Sequence, residues 1–482
     1  MPINPDLRPT ARPLALLLSA VALATLSACA NYSGIDPVAK PLDASTLGLK
    51  NPAAPPADNA GSSEWWLGLG DAQLQTLIQK AQENSPGLRA TQARLARAQA
   101  ANALVKSAGG PSLNAELDVT RQLFSANSIY PPPFGGSAYE MGTLQANAAW
   151  EFDFFGKNSA ALAASVGQIG AVQADLQAAR GLLAANVARS YFQLVRIEAQ
   201  LALAQRNLAQ RVQIKQLTLD RLHAGLDTQL ELQQSDSALP DMRLQIEILN
   251  EQKALTLNAL AALTAQPVQA LALQPPALAT LAVPQLPSTL PLNLLGQRAD
   301  IAAARWRIEA GMQDVKSAKA EFYPNIDLVG FAGYSSIGWD KLLNSDSLNW
   351  GVGPAIHLPL FDSGRLRAML SGKTADLDSA IESYNAQVIE AVHEVSDQLS
   401  ISKAVQRQQT EQAAAQASAE KAYQIAVDRY QAGLGNYLNV LSAETPLLAQ
   451  RRQGIDLAAR ALDTQVQLLH AMGSATAAPA QP

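Results

Sequence analysis

Cysteine is almost absent: Cys29 is the only one in 482 residues, which excludes an internal disulfide. Aromatic residues are scarce, 5% of a chain that is 48% apolar. Alanine, leucine and glutamine dominate instead, a mix that suits long helices rather than a compact aromatic-rich core. There is no basic excess: the formal net charge is −5, so the electrostatic footprint of nucleic-acid binding is missing. The histidines are His223, His357, His393 and His470. No pair of them has metal-ligand spacing and none accompanies a cysteine. No Gly-x-Ser-x-Gly elbow occurs. Ser371-Gly372-Lys373-Thr374 looks like the end of a phosphate-binding loop, but the earlier glycine it requires falls on Arg367, within a helical stretch. Carboxylates sit on helix faces, where pairing with Lys and Arg is their ordinary use. These absences point away from an enzyme, and no cofactor or metal is expected.

A long hydrophobic run is also lacking. Leu14 to Leu26 is apolar but too short for an ordinary spanning helix, and Arg8 and Arg12 precede it, so residues 1–28 read as a signal peptide. Leu26-Ser27-Ala28-Cys29 resembles a bacterial lipobox, in which the cysteine is acylated and becomes the first mature residue. No Asp follows Cys29, which by resemblance to sorted lipoproteins favours the outer membrane. Acyl chains tether by burying methylenes, at ~0.8 kcal/mol each. Residues 29–64 are rich in Pro, Ala, Asp, Asn and Ser and read as an extended arm.

From Trp65-Trp66 the pattern turns helical, with Leu74, Leu77, Ile78 and Ala81 at helical spacing. Asn84-Ser85-Pro86 breaks it, and a second helix runs from Leu88 towards Ser107. The period then changes to two. Leu113, Ala115, Leu117 and Val119 alternate with Asn114, Glu116, Asp118 and Thr120. Leu144 to Phe154 alternates in the same way. Such segments are strands with one apolar and one polar face, joined by a Pro/Gly-rich loop. Ser159 to Leu222 contains no Pro and three Gly, with heptad-spaced apolar residues. Sixty-four helical residues would span ~96 Å. Gly225 interrupts, and a return helix runs from about Thr228 to Leu263, where Pro240 is expected to introduce a kink.

Residues 265–296 hold six prolines and read as a linker. After it the programme repeats: two strand-like stretches around Ile326–Ser335 and Leu348–Phe361, a long helix from Arg365 to Tyr430, Gly433, and a return helix from about Tyr437 to Met472. RLHAGLDTQLELQQSD (221–236) and RYQAGLGNYLNVLSAE (429–444) align at a constant offset. The chain therefore divides into repeat 1 (65–264), the linker, repeat 2 (297–472) and a disordered tail (473–482).

Each repeat offers one membrane-length strand pair and one helical hairpin. The alternation admits two readings, a sheet half-buried on a soluble core or a barrel with lipid outside and a polar lumen. The signal peptide, the lipobox and the Trp-bearing strands favour the barrel. Four strands cannot close, and an open edge in lipid leaves backbone groups unsatisfied, so the barrel reading demands an oligomer. Two chains would give eight strands, whose lumen side chains fill. Three would give twelve and more room.

Taken in order, LSAC (26–29), WEFDFFGK (150–157), RADIAAARWRI (298–308), FYPNIDL (322–328), PLFDSGRLRA (359–368) and the two turn motifs are specific. Through them the chain resembles the TolC/OprM-like outer-membrane factors, in particular their NodT-type lipoprotein subunits, over nearly all of its mature length. The resemblance implies an α+β membrane protein: a homotrimeric 12-stranded transmembrane β-barrel, four strands per chain, continued by a long α-helical coiled-coil periplasmic tunnel. It implies an efflux exit duct in the outer membrane, lipid-anchored at Cys29, working with a periplasmic adaptor (membrane fusion protein) and an inner-membrane pump of the RND type. The adaptor would dock at the turn tips, carried by Arg221, Gly225 and Leu226 and by Arg429, Gly433 and Leu434. Tip pore or gate candidates are Tyr430, Asn439, Ser442, Glu444 and Asp236. Asn439 and Ser442 stand where many members carry Asp, which puts a tight cation-binding ring in doubt. Tyr430 matches a gating tyrosine and equally suits a packing role. A duct for protein secretion remains open, as does a periplasmic coiled-coil adaptor or scaffold lipoprotein.

Overall fold

The computed structural model describes residues 32–42, 65–281 and 298–473. The signal peptide, Cys29, residues 282–297 and all of the tail after Gly473 lie outside the described residues. The elements follow in chain order: α1 (Ala72–Asn84), α2 (Pro86–Ala108), β1 (Ser112–Leu123), β2 (Ala138–Glu151), α3 (Lys157–His223), α4 (Gln229–Thr264), α5 (Ala299–Ala320), β3 (Asn325–Ile337), β4 (Leu348–His357), α6 (Arg365–Gln431) and α7 (Tyr437–Ala471). The long helices α3 and α6 each have 67 residues, roughly 100 Å at 1.5 Å per residue. Helical assignment continues through Pro240 in α4 and through Pro446 in α7. Ser371 to Thr374 lies within α6, where the Thr374 hydroxyl donates to the Leu370 carbonyl at 2.9 Å.

Contacts divide the described residues into two compact units: 32–41, 94–172 and 304–384, and 42, 65–93, 173–281, 298–303 and 385–473. Each draws segments from both sequence repeats, because equivalent segments of the repeats pack on one another.

In the first unit the strands form one antiparallel sheet in the order β1-β2-β3-β4. The register puts Leu117 opposite Leu144, Leu144 opposite Tyr334, and Tyr334 opposite Leu348. One face is therefore apolar across all four strands, while Asn114, Glu116, Asp118, Gln145, Asn147 and Asp327 share the other. The apolar face is not covered by the described elements: Leu113 is 74% exposed, Trp350 71% and Ile356 69%. This decides between the two readings of the alternation, since a sheet folded on a soluble core would bury that face. β1 and β4 are edges with one neighbour each. The strands stop where caps begin. Asp153 accepts the N–H groups of Asn158 and Ser159 at the start of α3, at 3.0 and 2.8 Å. Asp362 accepts those of Gly364 and Leu366 at the start of α6, at 3.0 and 2.8 Å. Both satisfy orphan helical donors. Beneath the sheet, Ile308, Val315, Ala318 and Phe322 of the α5 segment pack on Leu366, Leu370, Leu377 and Ile381 of α6. α3 approaches α5 closely at Gly167 and Gly170, where Ala310 and Trp306 leave no room for a side chain.

In the second unit, Trp65, Trp66, Leu74 and Ile78 pack with Ala184, Val187 and Tyr191 of α3, Leu260 of α4 and Val466 of α7. Asp71 caps α1 through the N–H groups of Gln73 and Leu74, and the buried Tyr191 hydroxyl donates to its second oxygen at 2.7 Å. One carboxylate thus starts a helix and ties it to α3. Part of the Pro-rich segment is packed rather than free: Leu271 is buried in this core and Leu273, Leu278 and Leu281 lie against it. Before α5, Arg298 pairs with Asp300 and Glu394 at 2.8 Å each. It also donates to the carbonyl of Ala471 at 2.8 Å, satisfying the end of α7.

Candidate functional site at the helical turns

The duplicated turns are built alike. After α3, Gly225 takes φ +72°, Leu226 N–H donates to the Arg221 carbonyl at 2.9 Å, and Gly225 N–H to that of Leu222 at 3.0 Å. After α6, Gly433 takes φ +75°, Leu434 N–H donates to the Arg429 carbonyl at 2.8 Å, and Gly433 N–H to that of Tyr430 at 3.1 Å. This two-bond closure needs a left-handed residue, for which glycine carries no steric penalty. The return helices then start on matching caps. Thr228 accepts the N–H of Leu230 at 3.2 Å and Glu231 reaches back to the N–H of Thr228 at 2.9 Å; Asn436 accepts the N–H of Asn439 at 3.1 Å. Leu226 and Leu434, at equivalent positions, are 64% and 69% exposed.

The side chains diverge where the backbones agree. Arg221 is buried and grips Asp227 with two nitrogens, at 3.0 and 3.2 Å. A third nitrogen donates to the Tyr430 carbonyl at 2.8 Å, and the guanidinium lies 4.4 Å from the centre of the Tyr430 ring. The Tyr430 hydroxyl donates to Asp227 and lies 3.0 Å from that of Thr218. Tyr430 is fully buried, so its packing role and its polar contacts between the two hairpins coexist. The hydrogen bond that Arg221 donates to Asp227 is the main influence holding its guanidinium above its usual range. Burial, helped by the Asp227 hydrogen bond, pushes the Tyr430 phenol up to about 12, so it stays a neutral donor. Arg429, at the same motif position, meets Gly435 where the first turn has Asp227. It is exposed, and its contact is with the Leu434 carbonyl at 3.3 Å.

The remaining pore candidates separate. Asn439 and Ser442 are exposed, the Ser442 hydroxyl donating to the Leu438 carbonyl at 2.7 Å. Asp236 pairs with Lys215 at 2.5 Å and is half-buried. Glu444 is buried and bound to Arg211 at 3.1 Å. Burial pushes its carboxyl up despite the opposing Arg211 charge. Nothing in the sequence pattern marks Thr218. For Asp227, the mismatch with Gly435 at the repeat offset was the signal available. Among the described residues, no group of His, Asp or Glu is disposed to hold a metal ion, and no described helix is long and apolar enough to cross a membrane.

An open sheet with an uncovered apolar face, joined to helices of this length, defines the subunit of an outer-membrane channel whose β-barrel continues into a helical tunnel. The outer membrane efflux protein family model matches residues 77–266 and 290–474. The multidrug resistance outer membrane protein MdtQ of Escherichia coli O6:H1 is 32% identical over 85% of this chain and 87% of its own. The pyoverdine export outer membrane protein OpmQ of Pseudomonas aeruginosa is 29% identical over 94% and 96%. The solved outer membrane protein VceC of Vibrio cholerae superposes with a TM-score of 0.79 at 34% identity, over 86% of this chain and 99% of that one. The chain belongs to the outer membrane efflux protein family.

Proposed function

We propose that three copies of this chain close a 12-stranded barrel and act as the passive exit duct of a tripartite pump for small toxic compounds. The observation that carries this is the uncovered apolar sheet with two unpaired edges. Pairing β4 of one copy with β1 of the next satisfies every edge in lipid. Three copies leave a lumen that two would fill with side chains. The acidic and amide residues of the polar face then line water.

Energy comes from an inner-membrane pump, of the RND type, through a periplasmic adaptor. The tips formed by Arg221 to Leu226 and Arg429 to Leu434 dock that adaptor, with Leu226 and Leu434 as exposed apolar contacts. Opening shifts a closed–open equilibrium of the helical hairpins by differential adaptor binding, and the Arg221–Asp227–Tyr430 contacts resist it. Cys29, acylated, tethers the chain to the outer membrane. Small-molecule export is favoured over protein secretion by the names of two relatives, one for multidrug resistance and one for pyoverdine export.

Deleting the gene in its host, with adaptor and pump intact, should sensitise cells to at least one toxic small molecule. Plasmid-borne wild type should restore resistance. Unchanged export of every compound tested, in a strain with no redundant duct, would sink the proposal.

A further inference from the structure

Within the second unit, side-chain pairs lay the four long helices side by side. Lys253 of α4 meets Glu198 of α3 at 2.6 Å, Arg196 of α3 meets Asp456 of α7 at 3.3 Å, and Arg451 of α7 donates to Glu420 of α6 through two nitrogens. The row is therefore α4-α3-α7-α6, and it has two faces. One is covered, because Tyr191 of α3 and Leu462 and Val466 of α7 pack in the core that holds α1 and Leu271. At about 100° per residue, Arg189 and Arg196 lie roughly 160° and 140° round α3 from Tyr191, and Arg460 lies roughly 160° round α7 from Leu462. All three arginines therefore belong to the opposite face.

A groove of about 1080 Å³ runs there between α4, α3 and α7. Phe192, Leu255 and Leu263 give it an apolar wall, and Arg189, Arg196 and Arg460 line it together with Asp456 and Asp463. Its acceptors are committed within the chain. Asp463 accepts from Arg189 at 2.7 Å and from Gln467 at 2.5 Å, and Asp456 accepts from Arg196 at 3.3 Å and from Gln200 at 2.7 Å. Its donors are in surplus. Arg460 is exposed and has no carboxylate partner among the described residues, and Nε of Arg196 is buried without a hydrogen bond. Three guanidiniums against two carboxylates leave one positive charge in each groove. A planar guanidinium fork matches a carboxylate through two parallel hydrogen bonds, and the volume suits a drug-sized body.

We propose that this groove is a binding site inside the duct for organic carboxylates with an apolar body. Arg460 and Arg196 hold the carboxylate, and Phe192, Leu255 and Leu263 the body. This rests on the reading of three copies as a tunnel. Twelve helices in a ring at ~10 Å spacing enclose a bore of ~27 Å, and a further helical layer ~10 Å thick inside it would leave almost none. The face that carries α1 is therefore outward and the arginine face inward. Copies join at α4 and α6, the ends of the row, which leaves the groove open to the bore. Three such sites at one level concentrate carboxylates there, while Asp456 and Asp463 keep binding weak enough for release.

The experiment titrates two probes into the purified trimer, followed by fluorescence anisotropy. Dansylglycine is a carboxylate on an apolar ring system, and dansylcadaverine carries the same rings on an ammonium. Wild type should bind dansylglycine about 10-fold more tightly than dansylcadaverine, or better. Arg460→Gln should lose about 10-fold in dansylglycine affinity, the lower range for a hydrogen bond between charged groups. Its dansylcadaverine binding and its heat-sensitive trimer should be unchanged. Arg452 is exposed on the same helix outside the groove, and Arg452→Gln should match wild type. Equal affinity for the two probes, wild-type affinity in Arg460→Gln, or an equal loss in Arg452→Gln would overturn the site. Arg460→Cys in the Arg221→Ala background, which frees the tip, tests where the groove faces. A bulky thiol reagent should lower its unitary conductance in planar bilayers, with the Arg221→Ala parent as the blank. Fully labelled protein that conducts as before would also overturn the site. A trimer that never conducts, even before labelling, would instead overturn the tunnel reading on which the site rests.

Discussion

Arg221 and Arg429 occupy the same position of the duplicated turn, yet replacing them with alanine should give unequal results. Arg221 reaches from the first hairpin to the second through a charge-assisted hydrogen bond to the Tyr430 carbonyl at 2.8 Å and a guanidinium 4.4 Å from the Tyr430 ring centre. The first is worth about 1.5–3 kcal/mol and the second about 0.5–2 kcal/mol. The Arg221–Asp227 pair lies within one turn, so it persists in any state that keeps that turn and drops out of the difference. Arg221→Ala therefore weakens the closed state by about 3 kcal/mol, roughly a 150-fold shift of the closed–open ratio. Arg429 is exposed and makes a 3.3 Å contact within its own turn, so Arg429→Ala should change stability by no more than about 0.5 kcal/mol. Conductance of the purified channel in planar bilayers reads the equilibrium directly. Uptake of a bulky antibiotic normally excluded by the outer membrane reads it in cells. Equal effects of the two substitutions, or an Arg221→Ala channel as closed as wild type, would refute the latch.

Three further outcomes are expected. The Tyr430 phenol is raised from its ordinary 10 to about 12, so its contribution is complete below pH 10 and lost as pH rises towards 12; an alkaline rise in conductance confined to that window should disappear in Tyr430→Phe. Burial, with the nearby Arg298 charge, holds His470 below its ordinary 6.5, so the unfolded chain takes up a proton that the folded chain refuses as pH falls. Stability should be full above pH 6.5 and decline below it, and Tm measured from pH 7 to 5.5 should fall less in His470→Gln than in wild type. At Gly170 an added Cβ would lie 2.6 Å from the Trp306 ring, so Gly170→Ala should cost about 1–3 kcal/mol by overpacking and lower Tm, while Gly170→Ala with Trp306→Leu should recover part of the loss.

The strands, the long helices and the duplication were legible because each rests on a period: two for Leu113 to Thr120 and Leu144 to Phe154, heptads for α3 and α6. Strand ends were less legible. Phe152 and Phe154 continue the alternation, but β2 ends at Glu151 because Asp153 is committed to capping α3. Proline content gave no sign of packing in the first half of the linker, where Leu271, Leu273, Leu278 and Leu281 supply apolar anchors among the prolines and pack on the core. At the turns, the glycines and their offset gave the backbone geometry. The partner of Arg221 was not readable, because a contact between hairpins depends on how α3 and α6 pack. Glu444 illustrates the same limit: pairing with a Lys or Arg is the ordinary use of a helix carboxylate, but that its partner is Arg211 on α3 depends on how the helices pack.

The most direct test of the central claim is single-channel recording from the purified protein in planar lipid bilayers, on material shown by gel to be a heat-sensitive trimer. The expected result is a trimer rich in β signal as well as helix, giving discrete ion-conducting events that become larger or more frequent in Arg221→Ala. A soluble monomer, or a trimer that inserts and never conducts in either form, would contradict the duct.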